Sequence, residues 1–275
     1  MFGWFVGLKP GSPQNANSPR SPSIQPACPD RPLCLRANGR VRYARCYEPG
    51  AALDFAYFPT SSIVSILNPL QDGAAPEVAV IGNDGVVGIA LVMGGAATTN
   101  TRAVVQSAGH GYRLRASVLQ ATAESEAPLR HLMLRYAQSL ITQMSQSAAC
   151  NRFHSVDQQV CRLLLTCMDR WASNRLSLTH ERISNLLGVR REGVTVVSGN
   201  LAAAGLITYW RGCVTVVDRP GLEARVCECY AVVKAEIARL LPMNPRSDQM
   251  PGSRTAGDKS KPPVAAAANR RVETG

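Results

Sequence analysis

The sequence predicts an α+β chain: a roll of short antiparallel strands, one long helix, and a C-terminal helix–turn–helix closed by a hairpin wing. Three observations carry this expectation. Residues 46 to 123 hold short runs of β-formers separated by Asn-, Asp- and Gly-containing turns. Pro128 to Asn151 keeps helical spacing, with apolar residues on more than one side. Residues 178 to 217 read as helix, glycine turn, helix and basic hairpin. A length of 275 residues allows one or two domains with real cores.

Taken in order, residues 9 to 32 are rich in Pro, Ser and Asn and poor in hydrophobic residues, so 1–45 is expected to be a disordered or linker segment. The runs YFPTSSIVSIL, EVAVIG, GVVGI, RAVVQS and GYRLR then predict a small antiparallel barrel or jelly roll over 46–124, because closing up is how many short strands protect their edges. A single helix should occupy 125–154. Leu129, Leu132, Met133, Tyr136, Leu140 and Met144 form one apolar stripe, and Leu134, Ala137, Ile141 and Ala148 an adjoining one. One side can cover the roll. The other needs a partner, most simply the same helix of a second chain, and Tyr136, Leu140 and Met144 are assigned to that seam because they follow one another by a helical turn.

Over 155–241 the signals are denser. Ser155 and Gln158 form a capping box for a helix running through Val160, Leu163, Leu164 and Met168 to Trp171. Thr179 is an N-cap candidate with Glu181 in the first turn, and Ile183, Leu186 and Leu187 precede Gly188, which supplies the turn. In the next helix Val194, Val197 and Leu201 share one face, while Arg190, Arg191, Glu192, Thr195, Val196 and Gly199 lie toward the other. Gly205 sits at a C-cap, and LITYWRGCVTVV alternates β-formers around an Arg211–Gly212 turn. Asp218 and Pro220 open one last helix through Leu222, Val226, Tyr230, Val233 and Ile237, and 242–275 is expected to be a disordered tail.

Charge separates the halves. The chain carries a net +11, yet residues 46–151 hold five Lys and Arg against seven Asp and Glu, whereas 152–241 hold twelve against eight. Only the second half therefore suits an approach to phosphates. No apolar run is long enough to span a membrane, and MFGWFVGL lacks the basic region and length of a signal peptide, so the expected location is the cytoplasm with no membrane partner. Nine cysteines without disulfide-framework spacing should be mostly reduced thiols, and Cys161, Cys167, Cys227 and Cys229 fall inside helical patterns where a buried thiol is the default.

The exposed start of the second helix fits a major groove, so the expected partner is double-stranded DNA. An Arg191 fork can bond guanine O6 and N7, and the Glu192 carboxylate can accept from cytosine N4 or hold that arginine in place. Thr195 and Val196 complete the base-reading edge, the valine offering contact to a thymine methyl. Thr179, Arg190 and Arg211 are assigned to phosphates, which set register without reading sequence. The alternative is a sensor or scaffold module whose winged helix binds protein.

Roll, long helix and winged helix, in that order, resemble the Crp/Fnr family of bacterial transcription regulators over roughly residues 50 to 240. LTHERISNLLGVRREGVT and AGLI-x₃-RG carry the resemblance best; FPTSSIVS and GNDGVVGIALVMGG carry it more weakly, the latter standing where the family has its phosphate-binding cassette. The resemblance implies a homodimer on an inverted-repeat operator, contact with RNA polymerase, and an effector in the roll. In the family the recognition helix opens with a base-reading Arg-Glu pair, matched here by Arg191 and Glu192, and places a further Arg one turn on, where Val196 stands.

The cassette departs from the pattern. Ile89 occupies the position of the Glu that holds the ribose, Thr101 that of the Arg that holds the cyclic phosphate, and Arg102 lies one residue beyond. Gly88, Ile89, Thr101 and Arg102 thus mark a degenerate effector pocket, not expected to bind cyclic nucleotide, because unpaired ribose hydroxyls would cost on the order of 1 to 3 kcal/mol each. Arg102 remains a candidate anion contact. Cys28, Cys34 and Cys46 are spaced wrongly for the family's iron–sulfur cluster. On a helix, Cys227-x-Cys229 would point its thiols about 200° apart, a poor chelate, and His110, His131, His154 and His180 show no two-on-one-face spacing. The expectation is a regulator with no cofactor, no metal and no catalytic residues, since the roll has only His110 and no carboxylate cluster around it.

Overall fold

The computed structural model describes residues 33–35, 45–94, 98–171 and 173–241. Its strands pair antiparallel throughout, as hairpin-rich sequence with short turns requires. β1 (Leu33–Leu35), β7 (Gly109–Arg115) and β3 (Phe55–Pro59) form one sheet in the order β1-β7-β3. β2 (Arg45–Tyr47), β6 (Arg102–Ser107), β4 (Ile63–Leu67) and β5 (Glu77–Ile81) form a second in the order β2-β6-β4-β5. Together they make the β-roll. Its first strand lies within the segment expected to be disordered, because Leu33–Leu35 has the free edge of β7 to pair with. Residues 1–32 and the expected tail 242–275 lie outside the described residues.

All five residues of β4 are buried. Period-two alternation explains how: Val64 and Ile66 point into the roll, with Phe58, Val87, Val105 and Leu119, while Ile63 and Leu67 belong to a second core on the sheet's outer surface. GVVGI is not a strand. Val87 makes a single bridge to Tyr57, and Ile89–Val92 then winds into a short 3₁₀ turn opened by Gly88 at φ 98°.

Helix α1 (Ala116–Ser125) follows β7 directly, a helix not anticipated from the sequence, and buries only Leu119 and Ala123. α2 (Ala127–Phe153) opens on Pro128 in its first turn and agrees with the long helix expected. It covers the roll with Met133, Tyr136 and Leu140, the Tyr136 hydroxyl donating to the carbonyl of Val86 at 3.0 Å. A β-carbon at Gly85 would meet that hydroxyl at 2.4 Å, so only glycine lets the helix come this close.

α3 (Val156–Met168) carries the capping box read from Ser155 and Gln158, with both reciprocal bonds present. It docks on the outer face of the four-stranded sheet. There Arg170 grips Asp84 through two contacts, at 2.8 and 3.1 Å, and Gln106 donates to the Cys167 thiol at 3.4 Å. Beyond it come β8 (Arg175–Ser177), α4 (His180–Leu187), α5 (Arg191–Ala203), β9 (Ile207–Trp210) and β10 (Cys213–Val216), a winged unit whose sheet runs β8-β10-β9. The final helix expected from Asp218 is two, α6 (Arg219–Arg225) and α7 (Glu228–Leu240), broken where Val226 and Cys227 turn extended. α7 then runs back antiparallel along α2, from Cys227 beside Cys150 to Glu236 beside Gln138.

This packing corrects the assigned dimer seam. Tyr136 and Leu140 are buried in the core of their own chain and so cannot meet a symmetry mate, while Met144 packs against the same core from a partly exposed position. The stripe they form faces the roll. The adjoining stripe is the open one: Leu134 is 48 % and Ile141 57 % exposed.

Candidate nucleic-acid interface

The reading edge is assembled from three elements. Thr179 caps α4 by accepting from the backbone N–H of Arg182 at 3.0 Å, and Gly188 ends that helix in the left-handed region at φ 67°. α5 then starts at Arg191, with Arg190 as its extended N-cap. Val194, Ser198 and Leu201 face inward, onto the core that also holds Ile183, Leu186 and Leu187 of α4. Arg191, Glu192, Thr195 and Val196 all face solvent, Val196 at 62 % exposure. A valine so exposed on a helix contributes little to the core.

The wing is held against this edge. Arg211 and Gly212 take φ values of 45° and 77°, both positive, so β9 and β10 are joined by a two-residue turn of the mirror-image kind that matches strand twist. A β-carbon on Gly212 would lie 3.0 Å from the methyl of Thr179, so the turn sits directly on the start of α4. At the tip the Arg211 guanidinium stacks 5.2 Å from the centre of the Trp210 ring, and that ring is 68 % exposed. Arg190, Arg191 and Arg211 are all exposed.

His180 ties the parts together. Its ring lies 4.2 Å from that of Tyr209 on the wing, and its Nδ1 is 3.1 Å from the hydroxyl of Thr195 on α5. Tyr209 in turn donates to the carbonyl of Leu178. Burial, and then the neighbouring Arg191 guanidinium, push His180 below its ordinary range, so the ring is neutral near pH 7 and orients Thr195 without adding charge. Thr195 also donates back to the carbonyl of Arg191. Its hydroxyl is therefore fixed by contacts within the chain. Sequence reading did not give His180 or Trp210 a role at this edge; the signal available was an aromatic next to the wing's arginine.

A family model described as the Crp-like helix-turn-helix domain matches residues 158–225. The winged unit is similar to a Crp-like helix-turn-helix. That match takes in α3 through α6, so the Crp-like domain includes the helix that docks on the roll. Solved structures extend the likeness to the fold. FixK2 of Bradyrhizobium japonicum superposes with a TM-score of 0.58 at 15% identity, over 67% of this chain and 93% of that one. TTHB099, a CRP-family transcriptional regulator of Thermus thermophilus, gives 0.56 at 18% over 66% and 93%. The c-di-GMP-responsive global regulator CLP of Xanthomonas campestris gives 0.51 at 18% over 63% and 89%. No curated protein sequence matches the chain. The fold, roll first and Crp-like domain last, is that of the Crp/Fnr transcription regulators.

In the roll, the residues expected to mark a degenerate pocket are engaged by their neighbours. Gly88 and Ile89 start the 3₁₀ turn, and the Thr101 hydroxyl lies 3.0 Å from that of Thr99 and 3.4 Å from that of Tyr47. Arg102 is not a free anion contact. Its Nε donates to Glu48 at 2.7 Å, and Glu48 also holds Arg45 at 2.6 Å. No helix among the described residues is long and apolar enough to cross a membrane.

One constellation escaped the sequence reading. Cys150 and His154, one turn apart at the end of α2, meet Cys227 and Cys229 at the start of α7, with one side-chain N or S atom from each within 4.8 Å of all the others. Cys227-x-Cys229 would point its thiols apart only on a continuous helix. Cys227 is instead the extended N-cap, at φ −74° and ψ 164°, so the pair brackets a helix start and converges. The i, i+4 spacing of Cys150 and His154 was the legible clue.

Proposed function

We propose that the chain is a homodimeric, DNA-binding transcription regulator that reads an inverted repeat, and that its roll does not respond to cyclic nucleotides. The observation that carries this is the solvent-facing edge of Arg191, Glu192, Thr195 and Val196 on a helix whose other face is buried, with the Arg211–Gly212 turn of the wing seated on the start of α4, the helix before it. Glu192 supports base reading by accepting from cytosine or steadying Arg191; Arg190, Arg211 and Thr179 set register on phosphates. Ile89, Thr101 and the Arg102–Glu48 pair support a roll that has lost ribose and phosphate recognition. Its expected partners are double-stranded DNA, a second copy, RNA polymerase and an effector of another class, in the cytoplasm, and it is read as a regulator rather than an enzyme.

The test is selection of bound fragments from random duplex DNA, followed by titration at several salt concentrations. Enriched fragments should contain an inverted repeat with half-sites about 34 Å apart, and log affinity should fall linearly with log salt. Fragments without two-fold symmetry, or affinity indifferent to salt, would overturn the reading.

A further inference from the structure

We propose that Cys150, His154, Cys227 and Cys229 bind one thiophilic divalent ion of the zinc class, clamping the start of α7 to the end of α2. The distances fit the ion. A tetrahedral zinc with bonds of about 2.3 Å to sulfur and 2.0–2.1 Å to nitrogen sets its ligands roughly 3.5 to 3.8 Å apart. The Cys150 and Cys227 sulfurs are 3.6 Å apart, and the Cys229 sulfur is 3.5 Å from Nδ1 of His154. Three thiols and an imidazole are also the donor set that selects zinc over harder divalent ions.

The surroundings fit as well. Cys150, Cys227 and Cys229 form a buried cluster of their own, separate from both larger cores. His154 presents Nδ1 to the sulfurs while its Nε2 lies 3.3 Å from the Glu228 carboxylate. A proton on Nε2, held by that carboxylate, leaves the Nδ1 lone pair for a metal, the outer-shell arrangement that orients metal-binding histidines. Arg162, bonded to Ser147 at 3.2 Å and in contact with Cys150, places a positive charge beside the cluster that offsets the excess charge of three thiolates on a divalent ion. Four protein ligands close the coordination sphere, so the site is structural.

The position gives the clamp its task. His154 is the C-cap of α2 and Ser155 the N-cap of α3, so the ion sits at the joint where the long helix hands over to the Crp-like domain, and it holds α7 there across 77 residues of chain. A cluster of two or more irons would need its ligands spread wider than these. A Cys150–Cys227 disulfide would use two of the four groups and leave Cys229 and His154 facing one another with no task.

The full-length chain, purified without air from zinc-supplemented cells, should contain one zinc per chain by elemental analysis. Exchange for cobalt should give sulfur-to-metal charge-transfer bands and the visible bands of a tetrahedral ion. His154→Cys should keep the ion and shift those bands. Cys227→Ser and Cys229→Ser should lose it, and Cys213→Ser should not. Glu228→Ala, at an exposed position, should fold normally and bind zinc about tenfold more weakly in competition with a chromophoric chelator. A wild-type chain that melts cooperatively yet carries no stoichiometric metal would overturn the proposal. So would unchanged metal content in both serine variants, or a Cys150–Cys227 disulfide in the protein as first isolated. None of these readouts uses DNA, so they stand apart from the assignment of the reading edge.

Discussion

Arg191 and Arg211 differ in what they are placed to touch, although both are exposed arginines on the same domain. Arg191 begins α5, next to Glu192, and its replacement by Ala should cost about 1 to 3 kcal/mol at the specific site while relaxing preference at one base pair. Arg211→Ala should weaken specific and random duplexes alike and lower the salt slope by about one. Paired titrations on operator and scrambled duplex separate the two. Equal loss on both duplexes for Arg191→Ala would remove it from base reading. The Arg-Glu pair could be proposed from sequence because its chemistry is local to two residues, and the structure leaves both exposed at the start of α5. Thr195's ties to His180 were not, because they join residues fifteen apart through a turn whose geometry decides the distance.

Glu77 is a residue of another kind. It is buried between the roll and the Crp-like domain, and burial pushes its carboxyl up to about 7, against the pull of the Ser65 hydroxyl and of Arg162, Arg182 and Arg170. An acid raised in the folded chain favours folding below its unfolded value of 4.5, and that contribution is lost as pH rises through about 7. Thermal stability should therefore fall between pH 5 and pH 8 by more in the wild type than in Glu77→Gln, the difference being at most about 3 kcal/mol. Superimposable pH profiles would show that the carboxylate is stabilised by the arginines at neutral pH. Nothing in the run EVAVIG signals this, since a glutamate at a strand start reads as solvent-facing until the packing of α3 and α4 on β5 is known.

At the scale of elements, α2 shows what periodicity can and cannot settle. Two apolar stripes were visible in the sequence, and the helix has the expected length; which stripe faced the roll depended on where β5 and α7 lie, and that is not encoded in α2 itself. Leu134 and Ile141, a heptad apart on the open face, are now the proposed seam. Ile141→Arg should shift the chain to monomer in sedimentation while leaving its circular dichroism intact, and should reduce operator binding far more than non-specific binding. Leu140→Arg should behave differently, lowering the melting temperature through an unpaired buried charge, a cost of several kcal/mol. If Leu140→Arg dissociated a still-folded dimer, the seam would lie on the other stripe after all. The division of the last helix into α6 and α7 was illegible for a related reason: Val226 and Cys227 have no turn-forming character, and the break is imposed by the contacts of Cys227 with Cys150.

Over the whole molecule, two cores lie on opposite sides of one sheet, and β4 contributes to both. The roll is thus joined to the Crp-like domain by buried side chains and by the Arg170–Asp84 pair, not by α2 alone. An effector that altered the roll's outer face would be felt directly by α3. Cyclic AMP and cyclic GMP are not expected to be that effector. At millimolar concentration neither should raise the melting temperature or change DNA affinity, because Arg102 is committed to Glu48 and Ile89 offers no acceptor. A saturable shift at micromolar nucleotide would show that the pocket keeps its old ligand. The expectation came from departures at single cassette positions; the salt bridge that commits Arg102 was not legible, since Glu48 and Arg102 are 54 residues apart.

The antiparallel course of α7 along α2 also bears on the order in which the chain can be made. A nascent chain folds from its N-terminus as it emerges, so α7 is the last of the described elements to leave the ribosome, after the roll and α2. Until then the flank of α2 that α7 covers, from Gln138 to Cys150, is open to water or to a neighbouring nascent chain. A chain ended after Arg225 would retain everything the domain match contains and still be caught at this stage. It should aggregate on synthesis and be rescued when a peptide of residues 226–241 is supplied during translation. The last helix is then less an appendix to the DNA-reading domain than the step that ends the vulnerable period of biosynthesis.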